Sequence, residues 1–149
     1  MLADRIAAHK YRRALTTLEH GDLDRLLADF AEDCTMTFAG DTPLGADGLQ
    51  GPAVREWFER FLRLLPERRF EIRRLVIAGP PWRQRLAAHV TIRAAIDGQP
   101  YENQFAHFLL LRWGKVADDL VLEDTQRLER ACRRLAAAGI TEADAPPIT

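Results

Sequence analysis

The sequence predicts one α+β domain: helices first, then a curved, mostly antiparallel sheet wrapped around them. Three observations carry this reading. Up to Pro66 the apolar residues recur mainly at helical spacing, and beyond it they alternate with a period of two. Turn signals at Asp97-Gly98 and at Trp113-Gly114-Lys115 divide the alternating part into long strands. A block of helices followed by a block of strands makes an α+β arrangement rather than a βαβ one. The chain has 149 residues, the length of one compact domain, and a domain of this size buries roughly two thirds of its unfolded surface.

The elements follow in order. Ala7, Tyr11, Ala14 and Leu18 share one face of a first helix, Gly21 sits where a left-handed C-cap is needed, and Asp22 can cap the next helix. Leu23, Leu26, Leu27 and Phe30 continue at i, i+3, i+4 and i+7, so the second helix is expected to include Phe30. "CTMTFAG" is a short strand, and "AGDTPLGADGLQGP" reads as turn throughout. Pro52 fits a first helical turn, and Val54, Trp57, Phe58, Phe61 and Leu62 give the third helix a wide apolar face. In "RFEIRRLVIAG" Phe70, Ile72, Arg74 and Val76 share one face. In "QRLAAHVTIRAAIDG" Leu86, Ala88, Val90, Ile92, Ala94 and Ile96 lie opposite His89, Thr91 and Arg93. Strands through "NQFAHFLLLRW" and "VADDLVLED" complete the sheet, and Asp124 or Thr125 can cap a last helix carrying Leu128, Cys132 and Leu135. Residues 1–140 are expected to form one domain and 141–149 a flexible C-terminal tail.

Charge excludes several partners. With 21 basic and 22 acidic residues the net charge is −1, which supplies neither the counter-ion release of nucleic-acid binding nor the attraction to an anionic membrane. The basic clusters "ERRFEIRR" and "ERACRR" are interleaved with acids and read as solvated faces. No apolar run is long enough to span a membrane, and the first residues lack the apolar centre of a secretion signal, so a cytoplasmic location is expected. Cys34 and Cys132 are far apart, with no second ligand at metal spacing; no disulfide and no metal is expected.

Several segments together resemble the nuclear transport factor 2-like superfamily. "EHGDLDRLLADFAEDCTMTF" resembles its entry through two helices into the first strand, "GLQGPAVREWFERF" its third helix, and "LLRWGKVADDLVLEDTQRL" its final hairpin. The resemblance runs over about residues 5–130 and is strongest to the SnoaL-like branch, which includes polyketide cyclases; ketosteroid isomerases and limonene epoxide hydrolases are more distant. It implies a cone-shaped α+β barrel with an apolar cavity, a homodimer formed through the outer sheet face, and a small apolar ligand handled without cofactor. One reaction it does not imply.

Candidate site residues follow from that comparison and from strand parity. The isomerases' general-base aspartate falls at Thr42 here, so Asp41, one residue earlier, is a candidate base only if it turns inward; otherwise it is a turn residue. The isomerases' first-helix tyrosine falls at Ala14, and Tyr11 lies on nearly the same face. The position of their protonated acid falls near His107, which alternates with Phe105, Leu109 and Leu111 in "FAHFLLL". An imidazole there either serves acid/base chemistry or is a satisfied core residue. Of Asp118 and Asp119 only one can face inward, and parity selects Asp119, Val121 and Glu123. Val121 stands where the epoxide hydrolases need an aspartate. Asp119 and His107, on adjacent strands, can form an acid/base pair or simply satisfy each other. Tyr11 or His107 would hold a developing enolate oxygen. Trp57, Phe58, Phe61, Asn103 and Val121 are the candidate ligand contacts, with His89 a weaker polar candidate. The competing reading is a non-catalytic ligand-binding or dimerisation module of the same fold, favoured by the losses at Thr42, Val121 and Ala14.

Overall fold

The computed structural model describes all 149 residues and has the α+β architecture that the period switch predicts. Its helices are α1 (Leu2–His20), α2 (Leu23–Leu27), α3 (Pro52–Leu64) and α4 (Thr125–Ala137). The strands β1 (Phe30–Phe38), β2 (Ala46–Leu49), β3 (Arg69–Ala78), β4 (Gln84–Ile96), β5 (Gln99–Arg112) and β6 (Lys115–Glu123) form one six-stranded sheet in the order β2-β1-β6-β5-β4-β3. Every neighbouring pair is antiparallel except β1 with β6. The sheet does not close: it is an open, cone-shaped wall wrapped around α1, α2 and α3. No helix is long and apolar enough to cross a membrane.

The local chemistry explains most boundaries. Gly21 ends α1 in the left-handed region at φ 77°, where its N–H reaches the Leu18 carbonyl, and the Asp22 carboxylate caps α2 by accepting from the Arg25 N–H. Asp124 caps α4 in the same way through the Arg127 N–H. Arg68 is a cation buried where α1, α3 and β3 meet. Its guanidinium donates to the carbonyls of Leu18 and Leu65, so the polar ends of two helices supply the partners a buried charge requires.

Four expectations are corrected. Phe30 is not in the second helix: α2 ends at Leu27 and Phe30 opens β1 opposite Val116. The stretch read as turn contains β2, hydrogen-bonded to β1 through Met36–Leu49 and Phe38–Ala46. In β3 an extra residue at Arg73 interrupts the pairing between Ile72–Val90 and Arg74–His89, so the alternation flips there. Leu75 and Ile77 pack on the core, while Arg74 and Val76 face outward. The last residues are also not a loose tail. A short 3-10 helix, Thr141–Asp144, buries Ala143; Ile148 is buried and its N–H donates to the Gly45 carbonyl; and Arg63 grips the Glu142 carboxylate through two hydrogen bonds. That bidentate pair holds Glu142 below the usual carboxylate range.

The outer face of the sheet is not uniformly polar. Val76, Ala87, Phe108 and Leu120 lie in register across β3, β4, β5 and β6, and Val76, Phe108 and Leu122 are 64%, 42% and 45% exposed.

Candidate active site

The site lies between the inner face of the sheet and the helices. The apolar faces of α1 and α3 and the inward residues of β1, β4, β5 and β6 surround a cavity of about 90 Å³, lined almost entirely by hydrophobic side chains. Trp57 is stacked on Phe61 with ring centroids 5.4 Å apart and meets Phe58 edge-on at 5.0 Å. The aromatic contacts continue from Phe61 through Phe70, Phe105 and His107 to Tyr11. A second hollow of about 260 Å³ adjoins the first, sharing Tyr11, Ala14, Leu26, Phe30, Leu109 and Val116 with it. It reaches the surface beside Lys10 and the exposed Trp113.

Three polar side chains form a continuous chain in the cavity wall. The Tyr11 hydroxyl lies 2.8 Å from His107 Nδ1, and His107 Nε2 lies 2.7 Å from Asp119 Oδ1. With Asp119 as a carboxylate, Nε2–H donates to Oδ1, and Nδ1 accepts the tyrosine O–H. Burial and the Asp119 charge raise the Tyr11 pKa far above its ordinary value, so the phenol keeps its proton. Asp119 is only 4% exposed. Its second oxygen has no protein partner, yet it is not sealed away, because the carboxylate opens on the cavity.

The parity argument identifies the inward acid. A bulge at Ala117 separates the pairs Leu111–Val116 and Leu110–Asp118 and allows Val116 and Asp119 both to face inward. Asp118 is exposed and accepts from the Thr35 hydroxyl on the outer side. Trp57, Phe58, Phe61 and Val121 all line the cavity.

Three candidates are not brought to it. Asp41 is exposed at the tip of the β1–β2 connection. The buried residue of that turn is Thr42, whose hydroxyl accepts from the Leu44 N–H in a local turn. Asn103 faces inward but is already engaged: its amide nitrogen donates to the Tyr101 hydroxyl and the Asp124 carbonyl, and its oxygen accepts from the Gln104 N–H. It secures the β6–α4 junction and does not line the cavity. His89 lies on the outer face, paired with Gln104.

One cavity residue was passed over as a candidate. Glu123, selected by the same parity, lines the cavity with no hydrogen-bond or ion-pair partner. Desolvation, assisted by the neighbouring Asp124, pushes its pKa up to about 8, so it is neutral at pH 7. The sign of the linkage follows directly. An unfolded glutamate releases its proton near its ordinary pKa of 4.5, whereas the folded protein holds it until about 8, so stability falls as pH rises between those values and levels off above. Glu123→Gln is therefore expected to match wild type near pH 5 and to exceed it at pH 9 by about 2 kcal/mol or more, checked by urea denaturation across that range.

An open α+β cone wrapped around its N-terminal helices is the fold of the nuclear transport factor 2-like class. Residues 11–119 match the SnoaL-like domain, and the chain belongs to that family. Among solved structures it is similar to PrhC from Penicillium brasilianum, with a TM-score of 0.77 and 22% identity over 93% of this chain and 91% of that one. BvnE pinacolase from Penicillium brevicompactum gives 0.72 and 20%, over 90% and 94% of the two chains. IdmH from Streptomyces antibioticus, a candidate polyketide cyclase, gives 0.68 and 14%, over 87% and 98%. At these identities the likeness establishes the fold. No curated protein matches the chain significantly.

Proposed function

We propose that this SnoaL-like protein binds an apolar, carbonyl-bearing small molecule in the cavity and catalyses a cofactor-independent proton transfer on it, of isomerase or cyclase type. The observation that carries this reading is the Tyr11–His107–Asp119 chain, which ends in an unpaired carboxylate oxygen inside a mostly apolar cavity. Both nitrogens of His107 are engaged, so the imidazole orients and supports the base rather than meeting the ligand. Asp119 Oδ2 takes the proton alpha to the carbonyl, in a cavity that α1 and α3 screen from water. Tyr11, whose proton goes to His107 Nδ1, fixes the tautomer that this arrangement requires. The pinacolase and candidate cyclase among the structural neighbours are consistent with small-molecule chemistry on this scaffold.

The test is thermal unfolding against a panel of aromatic polyketides, steroids and terpene epoxides, repeated with His107→Ala and Asp119→Asn. A ligand class that stabilises wild type by several degrees, with the shift kept in Asp119→Asn and turnover of that class lost in both substitutions, supports the reading, because a ligand bound only by the folded state stabilises by mass action. Ligand binding without turnover would identify the non-catalytic binding module instead.

The apolar row across β3, β4, β5 and β6 supports a second element of the proposal, a homodimer through the outer sheet face. Wild type is expected to sediment as a dimer and Phe108→Glu as a monomer in sedimentation velocity, with the far-UV circular dichroism unchanged.

A further inference from the structure

The proposed reaction needs a hydrogen-bond donor at the ligand's oxygen as well as a base, and the cavity has few protons to offer. Among the side chains lining it, Trp57 donates its Nε1–H to the Leu44 carbonyl at 2.7 Å. With Asp119 ionised, the Tyr11 proton goes to His107 Nδ1 and the imidazole N–H to Asp119. Glu123, half-buried at the cavity wall, is the remaining polar group, and no hydrogen bond or ion pair engages its carboxyl. The geometry points to Glu123 as the residue that donates to the carbonyl oxygen of the bound ligand while Asp119 removes the proton from carbon.

The placement fits this division of labour. Asp119 and Glu123 are four residues apart on β6, about 13 Å between Cα atoms at the usual strand rise, with Val121 between them on the same inner face. With the two side chains leaning towards each other over Val121, a ketone lying between them sets its alpha C–H toward Asp119 and its carbonyl oxygen, two bonds further on, toward Glu123. The groups around Glu123 leave its proton uncontested. Tyr101 on β5 and Cys132 on α4 are both kept neutral by burial, Cys132 with a pKa pushed up to about 11, and Asp124 adds only negative charge. No cation pairs with the carboxyl. The step balances without a co-reactant. Asp119 takes the proton as the C–H bond breaks, the electron pair moves to the carbonyl oxygen, and that oxygen takes the Glu123 proton to give an enol. Return of the first proton to a different carbon and of the second to Glu123 completes an isomerisation.

This inference rests on the ligand class proposed above, and one experiment separates the two. Acetophenone, ¹³C-labelled at its carbonyl, is bound to the protein, and its C=O stretch is followed by infrared difference spectroscopy at pH 6.5 and 9.5. In wild type the stretch is expected to move to lower frequency at pH 6.5, with the shift lost at pH 9.5 as Glu123 ionises. In Glu123→Leu the shift is absent at both values and Kd rises about five- to tenfold, the worth of one hydrogen bond. In Glu123→Gln, whose amide donates but does not titrate, the shift persists at pH 9.5; in Tyr11→Phe it is retained at pH 6.5. A shift that survives Glu123→Leu, or that disappears in Tyr11→Phe instead, overturns the role given to Glu123 alone. Failure of acetophenone to bind wild type at millimolar concentration overturns it together with the proposed ligand class.

Discussion

On the proposed function, Asp119→Asn is expected to lower turnover of a ketone of the proposed class by about 10²–10⁴-fold, the usual contribution of a positioned general base. Asparagine keeps the volume and the oxygen that accepts from His107 Nε2–H, so the chain to Tyr11 stays assembled. What disappears is the lone pair that takes a proton. The loss should therefore appear in kcat with KM almost unchanged, read from full progress curves, since a group that acts in the transition state leaves ground-state binding intact. His107→Ala differs in kind: it strands both Tyr11 and Asp119 in an apolar wall and should cost stability as well as rate. An Asp119→Asn protein that turns over at the wild-type rate would place the base elsewhere.

The second large effect is on the fold itself. Trp57→Ala is expected to destabilise the protein by about 3–5 kcal/mol, the range for removing a large buried aromatic. Trp57 is 3% exposed, stacked on Phe61, and bonded through its indole nitrogen to the Leu44 carbonyl. Alanine thus both opens a hole in the cavity wall and leaves a buried carbonyl without its partner. Trp57→Phe keeps the aromatic contacts and should cost roughly half as much. The midpoints of urea unfolding, compared at constant slope, give both numbers.

What was legible in the sequence and what was not divides on physical grounds. The switch of period at Pro66 and the Asp97-Gly98 turn reveal the fold because burial on one face imposes a period locally. Phe30 is ambiguous for the same reason: its inward position completes a helical stripe and equally opens a strand, and only the pairing with Val116 decides. β2 is four residues long and includes Gly48 at φ 61°, so no local signal competes with the turn chemistry around it. The bulge at Arg73 is a property of the β3–β4 ladder and not of "EIRRLV" alone. In the site, parity was enough to bring His107 and Asp119 together. It could not show that Asn103 is occupied at the β6–α4 junction, or that Glu123 is an acid kept neutral, because both depend on what α4 and β5 place around them. Asp41 lies outside the cavity because its turn buries the neighbouring Thr42 instead.

The one parallel pair in the sheet has a consequence for how the protein comes into being. β1 meets β6 through Met36–Asp119 and Phe38–Val121, and the hydrogen bond between Thr35 and Asp118 spans 83 positions of sequence. β1 and β2 can form only a short ribbon of their own, whereas β3 to β6 form a meander of local hairpins. Closing so long a loop is entropically expensive and slow. The meander is therefore expected to assemble first and β1 to dock late, so the wall that carries Asp119 is finished only at the last stage of folding, and a nascent chain released before β6 encloses no cavity.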